Sequence, residues 1–344
     1  MVDLTLKEIA DQAGVSRSTA SRVVNNQPNV SEKARKRVLD VIQETNFHPN
    51  AAARTLASQR SWVIGLVLPQ SVSSFFTDPY YPHLIKGIAQ ACNQKNYTLA
   101  LFLVGTKEDE ENVYPRIARK GFLDGVVVQS GHHGDQGIIG RMVDMKIPMI
   151  VAGRPFRSDN VTYLDIDNVH SAYIAVNHLV RLGRRRIATI TGPVNSTVGQ
   201  DRLEGYRKAL AERGMDFDET LIVDGDFTEV GGYYAMQKLL PAKPDAVFAA
   251  SDTMAIGAMR AVKDANLKIP DEIAFVGFDD LPIASYAAVP LTTIRQPVVQ
   301  FGICAIETLI DMIENRITQP SHIIMNTELI IRSSCGSGKI RATS

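Results

Sequence analysis

From Trp62 onward, short apolar runs alternate with longer amphipathic stretches, and this alternation limits the possible folds more than any other feature of the chain. The runs include Val63–Leu68, Leu99–Val104, Val126–Val128, Met149–Val151, Ile187–Ile190, Ala246–Ala250 and Ile273–Val276. The amphipathic stretches include His83–Lys95, Glu108–Lys120, Ile138–Met145, Val169–Leu182, Asp201–Arg213, Val230–Leu240, Thr253–Ala265 and Val298–Glu314. Strands that are apolar without a break, each followed by a helix, predict parallel sheets covered on both faces. Single cores stop growing near about 250–300 residues, so this many elements predict two doubly wound α/β lobes. In such sheets ligands bind at the carboxyl ends of the strands, and between two lobes the cleft is the natural site. Several side chains fall at those ends. Arg202 starts a helix after the Gly192-Pro193 turn, and Asp279 ends the strand Ile273–Gly277. Ser251 and Asp252 end Ala246–Ala250, Arg154 follows Met149–Val151, and Gln296 follows Leu291–Ile294. Phe227, Tyr80 and Tyr81 supply aromatic faces. Guanidinium, carboxylate and amide groups pair with neighbouring hydroxyls while aromatic rings cover apolar ring faces, a mixture that suits a sugar. The alternative for Arg202 and Asp279 is a structural ion pair.

The first sixty residues have a different texture. Thr5, with Glu8 three residues on, reads as a capping box that opens a short helix with Leu6, Ile9, Ala10 and Ala13 inward. Gly14 supplies the left-handed turn, and Ser16 caps a second helix whose inward face is Ala20, Val23 and Val24. Two short helices joined in this way form a helix-turn-helix, whose second helix enters a DNA major groove at its start. That start is Ser16, Arg17 and Ser18, with Ser21 and Arg22 one turn later. The alternative is a surface helical hairpin with solvated polar residues. Ser31 caps a third helix that runs to about Thr45, with Ala34, Val38, Val41 and Ile42 inward, which completes an all-α headpiece. Lys33, Arg35, Lys36 and Arg37 read mostly as a solvated face. Beyond Pro49, Asn50 can cap a helix over 51–57 that is too short to stand alone in water. It needs a partner helix or DNA, or else it is a frayed linker.

Composition excludes several classes. No apolar run approaches the roughly 20 residues of a membrane span. MVDLTLKEIADQ has neither a basic segment nor an apolar core of the secretory type, so a cytoplasmic protein is expected. Cys92, Cys304 and Cys335 are widely spaced and odd in number, which reads as reduced thiols and excludes a cysteine zinc site. Residues 1–60 hold nine Lys/Arg against six Asp/Glu, leaving 28 against 31 for the rest. A slightly basic head on a slightly acidic body fits phosphate contact through the head alone. Asp279 and Asp280 are adjacent and point apart on extended chain, a poor acid/base pair. His132 and His133 lack a third ligand nearby, so no metal is expected. No phosphate loop, nucleophile elbow or GxGxxG follows a strand, so neither catalytic residues nor a cofactor are expected. Arg184, Arg185 and Arg186 read as a solvated turn before a strand.

The wording of the motifs goes further. Ala10, Ala13, Gly14, Val15, Ser16, Thr19, Ser21, Arg22, Val23 and Asn25, followed by Val30, Ser31, Arg35 and Val38, resemble the start of lactose-repressor (LacI) family transcription regulators. Ala20 departs mildly, since Val is common there. The resemblance continues through KGI, DGVVV, LDIDN, HLVRLGRRRIATITGP, RLEGYRKAL, PDAVFAASDTMAIGAMRA, IPDEIAFVGFDD, LTTIRQP and ELIIRSS, to about residue 335. It implies a periplasmic-binding-protein-like core with chain crossings near residues 163, 290 and 323. The expected organisation is a headpiece over 1–47, a hinge helix and linker over 48–61, and a core over 62–344. In that core the first lobe takes about 62–163 and 291–323, and the second about 164–290 and 324–335. For DNA, the resemblance together with the helix-turn-helix singles out Thr5, Ser16, Arg17, Ser18, Thr19, Ser21, Arg22, Asn25 and Ser31. It adds Asn50, Ala53, Leu56 and Ala57 in the hinge, with Leu56 as a minor-groove wedge. For the effector it carries over Arg202, Asp279, Gln296, Phe227 and Ser251. Tyr80 and Arg154 match less securely, because the loop Ser71–Pro82 varies in length, Tyr81 joins them as an aromatic face, and the neighbouring Phe75, Phe76 and Asp78 are weaker still.

The function expected is a homodimeric, non-enzymatic repressor of a near-palindromic duplex operator, controlled by a small-molecule effector, a sugar, with no membrane partner. The rivals are a sugar-binding transport protein, which would need a signal peptide and no headpiece, and a cleft enzyme fused to a DNA-binding head. The enzyme would need a nucleophile–base pair or a phosphate loop.

Overall fold

The computed structural model describes residues 4–24, 28–45, 47, 60–69, 71–130, 135–156 and 160–337, and the chain divides into two compact units, residues 1–61 and 62–344. In the first unit α1 is Leu6–Gln12, α2 is Arg17–Val24 and α3 is Glu32–Thr45. The capping box forms: Glu8 N–H donates to Thr5 Oγ1 (3.3 Å) while Thr5 N–H donates to Glu8 Oε2 (2.6 Å). Gly14 takes φ +61°, and Ser16 Oγ accepts from Thr19 N–H at 3.1 Å at the head of α2. Ile9, Ala10, Ala13, Ala20, Val23 and Val38 form the small core, flanked by half-buried Leu6, Val41 and Ile42. Asn25, Asn50, Ala53, Leu56 and Ala57, and with them the expected hinge helix, lie outside the described residues.

The second unit begins with β1 (Val63–Leu68), α4 (Val72–Thr77), α5 (Tyr80–Gln94), β2 (Thr98–Leu103), α6 (Lys107–Ile117), β3 (Gly125–Gln129), α7 (Asp135–Asp144), β4 (Met149–Ala152) and β5 (Thr162–Ile166). The chain then crosses into α8 (Asn168–Arg181), β6 (Ile187–Thr191), α9 (Thr197–Ala211), β7 (Ile222–Asp224), α10 (Glu229–Leu239), β8 (Ala246–Ala249), α11 (Asp252–Asp264), β9 (Ala274–Asp279), α12 (Pro282–Tyr286) and β10 (Thr292–Arg295). It returns through α13 (Val298–Ile313) and β11 (His322–Met325), and crosses once more to β12 (Glu328–Ile330). The two sheets have the orders β11-β5-β4-β3-β1-β2 and β12-β10-β9-β8-β6-β7. Strands such as Val126, Val127 and Val128 are wholly buried, as sheets covered on both faces require.

Four details differ from the sequence expectation. The strand Thr292–Arg295, assigned above to the first lobe, pairs in parallel with β9 and so belongs to the second. The crossings therefore fall at 166–168, 295–298 and 325–328. β12 runs antiparallel to β10, so the second sheet carries one reversed edge strand. The helix expected from Asp201 starts at Thr197, because Ser196 Oγ accepts from Gly199 N–H and caps it earlier. Arg184 and Arg186 do more than line a solvated turn: Arg184 donates to the carbonyls of Asp245 and Pro270, and Arg186 to that of Ala242.

The returning helix α13 packs on α5 and seals the first lobe. A Cβ at Gly87 on α5 would strike the backbone carbonyl of Val299 on α13. Alanine at a helical glycine normally gains about 1 kcal/mol of propensity. Overpacking against a backbone that cannot yield costs about 1–3 kcal/mol. Gly87→Ala should therefore lower the urea midpoint of the core, and an equal or higher midpoint would show that the two helices can part freely.

Candidate functional site

Between the two sheets of the second unit lies a cavity of about 680 Å³, at the carboxyl ends of the strands. Tyr80, Tyr81, Arg202, Phe227, Ser251, Asp279 and Gln296 all line it. Arg202, one turn into α9, is only 5% exposed, and its charge is met on several sides. Its Nε–H donates to Asn168 Oδ1 at 2.9 Å, Nη1 donates to the Ala250 carbonyl at 2.5 Å, and the guanidinium lies 3.6 Å over the Phe278 ring. Asp279 Oδ1 stands 3.6 Å from Nη1 and accepts from Gln296 Nε2 at 2.5 Å. The two readings of this pair therefore merge: Arg202 and Asp279 face each other at 3.6 Å and also face the cavity.

Burial pushes the Asp279 carboxyl above the usual range, and the nearby Arg202 charge only partly offsets it. Burial likewise draws Arg202 below its ordinary value, against the pull of Asp279. Asp279 holds φ +116°, a conformation L-residues rarely adopt, and such strain tends to persist where surrounding bonds over-determine it. Its neighbour Asp280 points the other way, to Arg332 (2.6 Å) and Arg295 (2.7 Å), so the adjacent acids do diverge. Asp252 is wholly buried, fixed by Leu281 N–H and the Thr293 hydroxyl, and serves as a structural carboxyl beneath the cavity wall.

Phe227 and Asp226 both take left-handed φ of +53°, with Asp226 N–H donating to Asp224 Oδ1. That turn lays the Phe227 ring flat against Gly192, where any side chain would collide with it. Ser251 caps α11 through Met254 N–H (3.2 Å) and still borders the cavity. On the first lobe Tyr80 and Tyr81 stack edge to face, 5.6 Å apart, and Asp78 lines the cavity beside them. Phe75 is instead buried in the lobe core, and Phe76 is 76% exposed.

Arg154 departs from expectation. It does not line the cavity; its guanidinium grips Asp201, because that carboxylate on α9 stands opposite it. Four polar residues on the lining, Asp165, Asn168, Gln129 and Ser130, are among those the sequence did not single out. Asp165 and Asn168 sit in LDIDN, which served above only as a family marker; Asp165 accepts from Ile166 N–H, Arg154 N–H and Asn168 Nδ2. Gln129 and Ser130 end β3, and Gln129 Oε1 and Ser130 Oγ are buried with no hydrogen-bond partner among the described residues. Their signal was positional, since every strand end in such a sheet faces the cleft.

In the headpiece Arg17 and Ser18 are exposed on the first turn of α2, with Arg22 exposed one turn on and Ser21 half-buried. Ser16, Thr5 and Ser31 each accept a backbone N–H as helix caps, and Ser16 Oγ also meets Thr19 Oγ1 at 2.9 Å.

A helix-turn-helix unit joined to a two-lobed core with a polar, partly aromatic cavity defines a ligand-responsive DNA-binding regulator. Residues 5–50 match the description "Bacterial regulatory proteins, lacI family", and residues 176–335 match "Periplasmic binding protein-like domain". The chain is 36% identical over 335 residues to the HTH-type transcriptional regulator CelR of Thermobifida fusca, covering 96% of this chain and 98% of that protein. It is 36% identical over 321 residues to the ribose operon repressor of Escherichia coli K12, covering 92% and 94%. Among solved structures, a CelR–cellobiose complex superposes with TM-score 0.77 at 34% identity, covering 96% and 99%. A lac repressor dimer bound to operator and an anti-inducer superposes with TM-score 0.82 at 26% identity, with the same coverage. The chain belongs to the lacI family of bacterial transcription regulators.

Burial pushes Asp165 up to about 6, despite the backbone hydrogen bonds that favour its ionised form. A carboxyl raised in the folded state adds stability at low pH that is lost as pH rises through the folded value. Between pH 7.5 and 5.5 the wild type should therefore gain about 1 kcal/mol relative to Asp165→Asn. Urea titrations of both proteins at the two pH values test this, and parallel behaviour would show that Asp165 stays ionised throughout.

Proposed function

We propose that this protein is a sugar-responsive repressor that acts in the cytoplasm as a homodimer on a near-palindromic operator, and that it binds its effector without chemical turnover. The observation that carries the reading is the composition of the cavity wall. One lobe offers Arg202, Asp279, Gln296, Ser251 and the Phe227 ring; the other offers Tyr80, Tyr81, and the Gln129 Oε1 and Ser130 Oγ atoms, which have no hydrogen-bond partner among the described residues. Acceptors, donors and rings on both sides match the alternating hydroxyls and apolar faces of a sugar. Ionisable groups on the wall are mainly acidic, with Asp78, Asp165 and Asp279 against Arg202, which favours an uncharged sugar over a phosphorylated one. The named relatives support the same class: one solved relative holds cellobiose, and another is named for the ribose operon. A volume of about 680 Å³ leaves room for a disaccharide.

On DNA, Arg17 and Ser18 read base edges, while Thr5, Ser16, Thr19, Ser21, Arg22, Asn25 and Ser31 hold the headpiece to the backbone. Asn50, Ala53, Leu56 and Ala57 form the hinge element, with Leu56 as the wedge. Control follows from linkage: a ligand touched from both lobes binds one lobe arrangement better than another, and so shifts the population that grips the operator. A thermal-shift screen of neutral mono- and disaccharides identifies the effector, because a ligand selective for the native state raises apparent stability.

Arg17→Ala should weaken operator binding by about 1–3 kcal/mol and relax preference at one base pair per half-site. Equal losses on operator and random DNA would make Arg17 a phosphate contact instead. Arg202→Ala should abolish the sugar's effect on operator binding while ligand-free affinity stays within a few-fold, since truncating a charge-assisted bond costs about 1.5–3 kcal/mol. Operator titrations with and without sugar decide this; a mutant that responds at the wild-type sugar concentration would move the site elsewhere.

A further inference from the structure

Beside the crossing at 166–168, a cluster of side-chain bonds ties the lobes together in addition to the covalent chain. Arg154 follows β4 in the first lobe, and Asp201 lies on α9 in the second. Arg154 Nη2 donates to both carboxylate oxygens of Asp201 at 2.6 and 2.8 Å, with Nε at 3.2 Å. The second-lobe hydroxyl of Thr197 donates to the Arg154 carbonyl at 2.9 Å. Arg154 N–H in turn donates to Asp165 Oδ2 at 3.1 Å, and Asp165 Oδ1 accepts from Asn168 Nδ2 at 3.1 Å. Asn168 Oδ1 accepts from Arg202, the residue next to Asp201, so the bonds close a ring that joins lobe to lobe and rim to cavity.

We propose that Arg154 and Asp201 form a clasp between the lobes, beside the crossing at 166–168, that holds the lobes together and positions Asp165 and Asn168 in the cavity wall. They are positioning residues, acting on the cavity through Asp165 and Arg202 and not through contact with a guest. The arrangement favours this over a lone surface ion pair. A pair with side chains 37% and 19% exposed is weakened by solvent when isolated. Here two further bonds, from Thr197 and to Asp165, pin the arginine's backbone in place, so little is lost in ordering it. The clasp ties both rims before any effector binds, and effector contacts made from both lobes then work with it.

The test needs no effector, so its outcome is independent of the sugar assignment. Hydrogen exchange of the ligand-free full-length protein is followed by mass spectrometry for wild type, Arg154→Gln, Asp201→Asn and the reciprocal swap Arg154→Asp with Asp201→Arg. Each single variant should speed exchange at least about fivefold in rim peptides of both lobes, around residues 153–156 and 196–204, with the sheets unaffected. The swap should return both rims toward wild type. Faster exchange confined to the lobe that carries the substitution, or no change at all, would overturn the clasp. A swap no better protected than the single variants would overturn it equally.

Discussion

The core is built around one buried positive charge. A guanidinium as deeply enclosed as Arg202 is tolerable only if its charge and donors are met where it stands, because an unpaired buried ion costs several kcal/mol. The partners come from four places: Asp279 at the end of β9, Asn168 at the start of α8, the carbonyl of Ala250 after β8, and the Phe278 ring. Meeting that one charge therefore fixes the ends of several elements relative to one another. It also explains why Asp279 tolerates φ +116°, since Gln296 and Arg202 hold it from two sides.

Around this centre the remaining acids are sorted by depth and partner. Asp280 turns outward to Arg295 and Arg332, Asp252 turns inward to Leu281 N–H and Thr293, and Asp165 joins the ring that includes Arg154. The helices whose N-termini face the cavity could attract an anion. Asp167, Ser196, Thr228 and Ser251 cap α8, α9, α10 and α11 from within, so much of that capacity is used inside the protein. Beside the already partnered Arg202, what is left open to a guest is mainly neutral or acidic: Gln129, Ser130, Asp78 and the aromatic faces. That balance is the ground on which the effector proposed above is an uncharged sugar.

The headpiece solves a smaller problem with fewer means. Six buried apolar side chains make a thin core, so its caps matter in proportion. Thr5, Ser16 and Ser31 each accept a backbone N–H at a helix start; the Thr5 hydroxyl in turn donates to Glu8 Oε2 at 2.8 Å, and Ser16 Oγ lies 2.8 and 2.9 Å from the Ser18 and Thr19 hydroxyls.

The local elements were legible in the amino-acid order. The capping box at Thr5, the turn at Gly14, the inward faces of three headpiece helices and most strands of both sheets follow from periodicity and capping, which act over a few residues. Strand-end logic, together with the family resemblance, also singled out Arg202, Asp279, Gln296, Phe227 and Ser251, which line one cavity. Pairing across long sequence distance was decided only in three dimensions. Thr292–Arg295 joined the second sheet because β9 offered it a partner ladder, which no local pattern records. Arg154 looked like a ligand contact because it follows a strand, and became a bridge because Asp201, 47 residues later, stands opposite it. Gln129 and Ser130 carried no motif, and only the folded cavity left their oxygens buried and unpaired. A charge, unlike a helix cap, takes its meaning from whichever group the fold brings within reach.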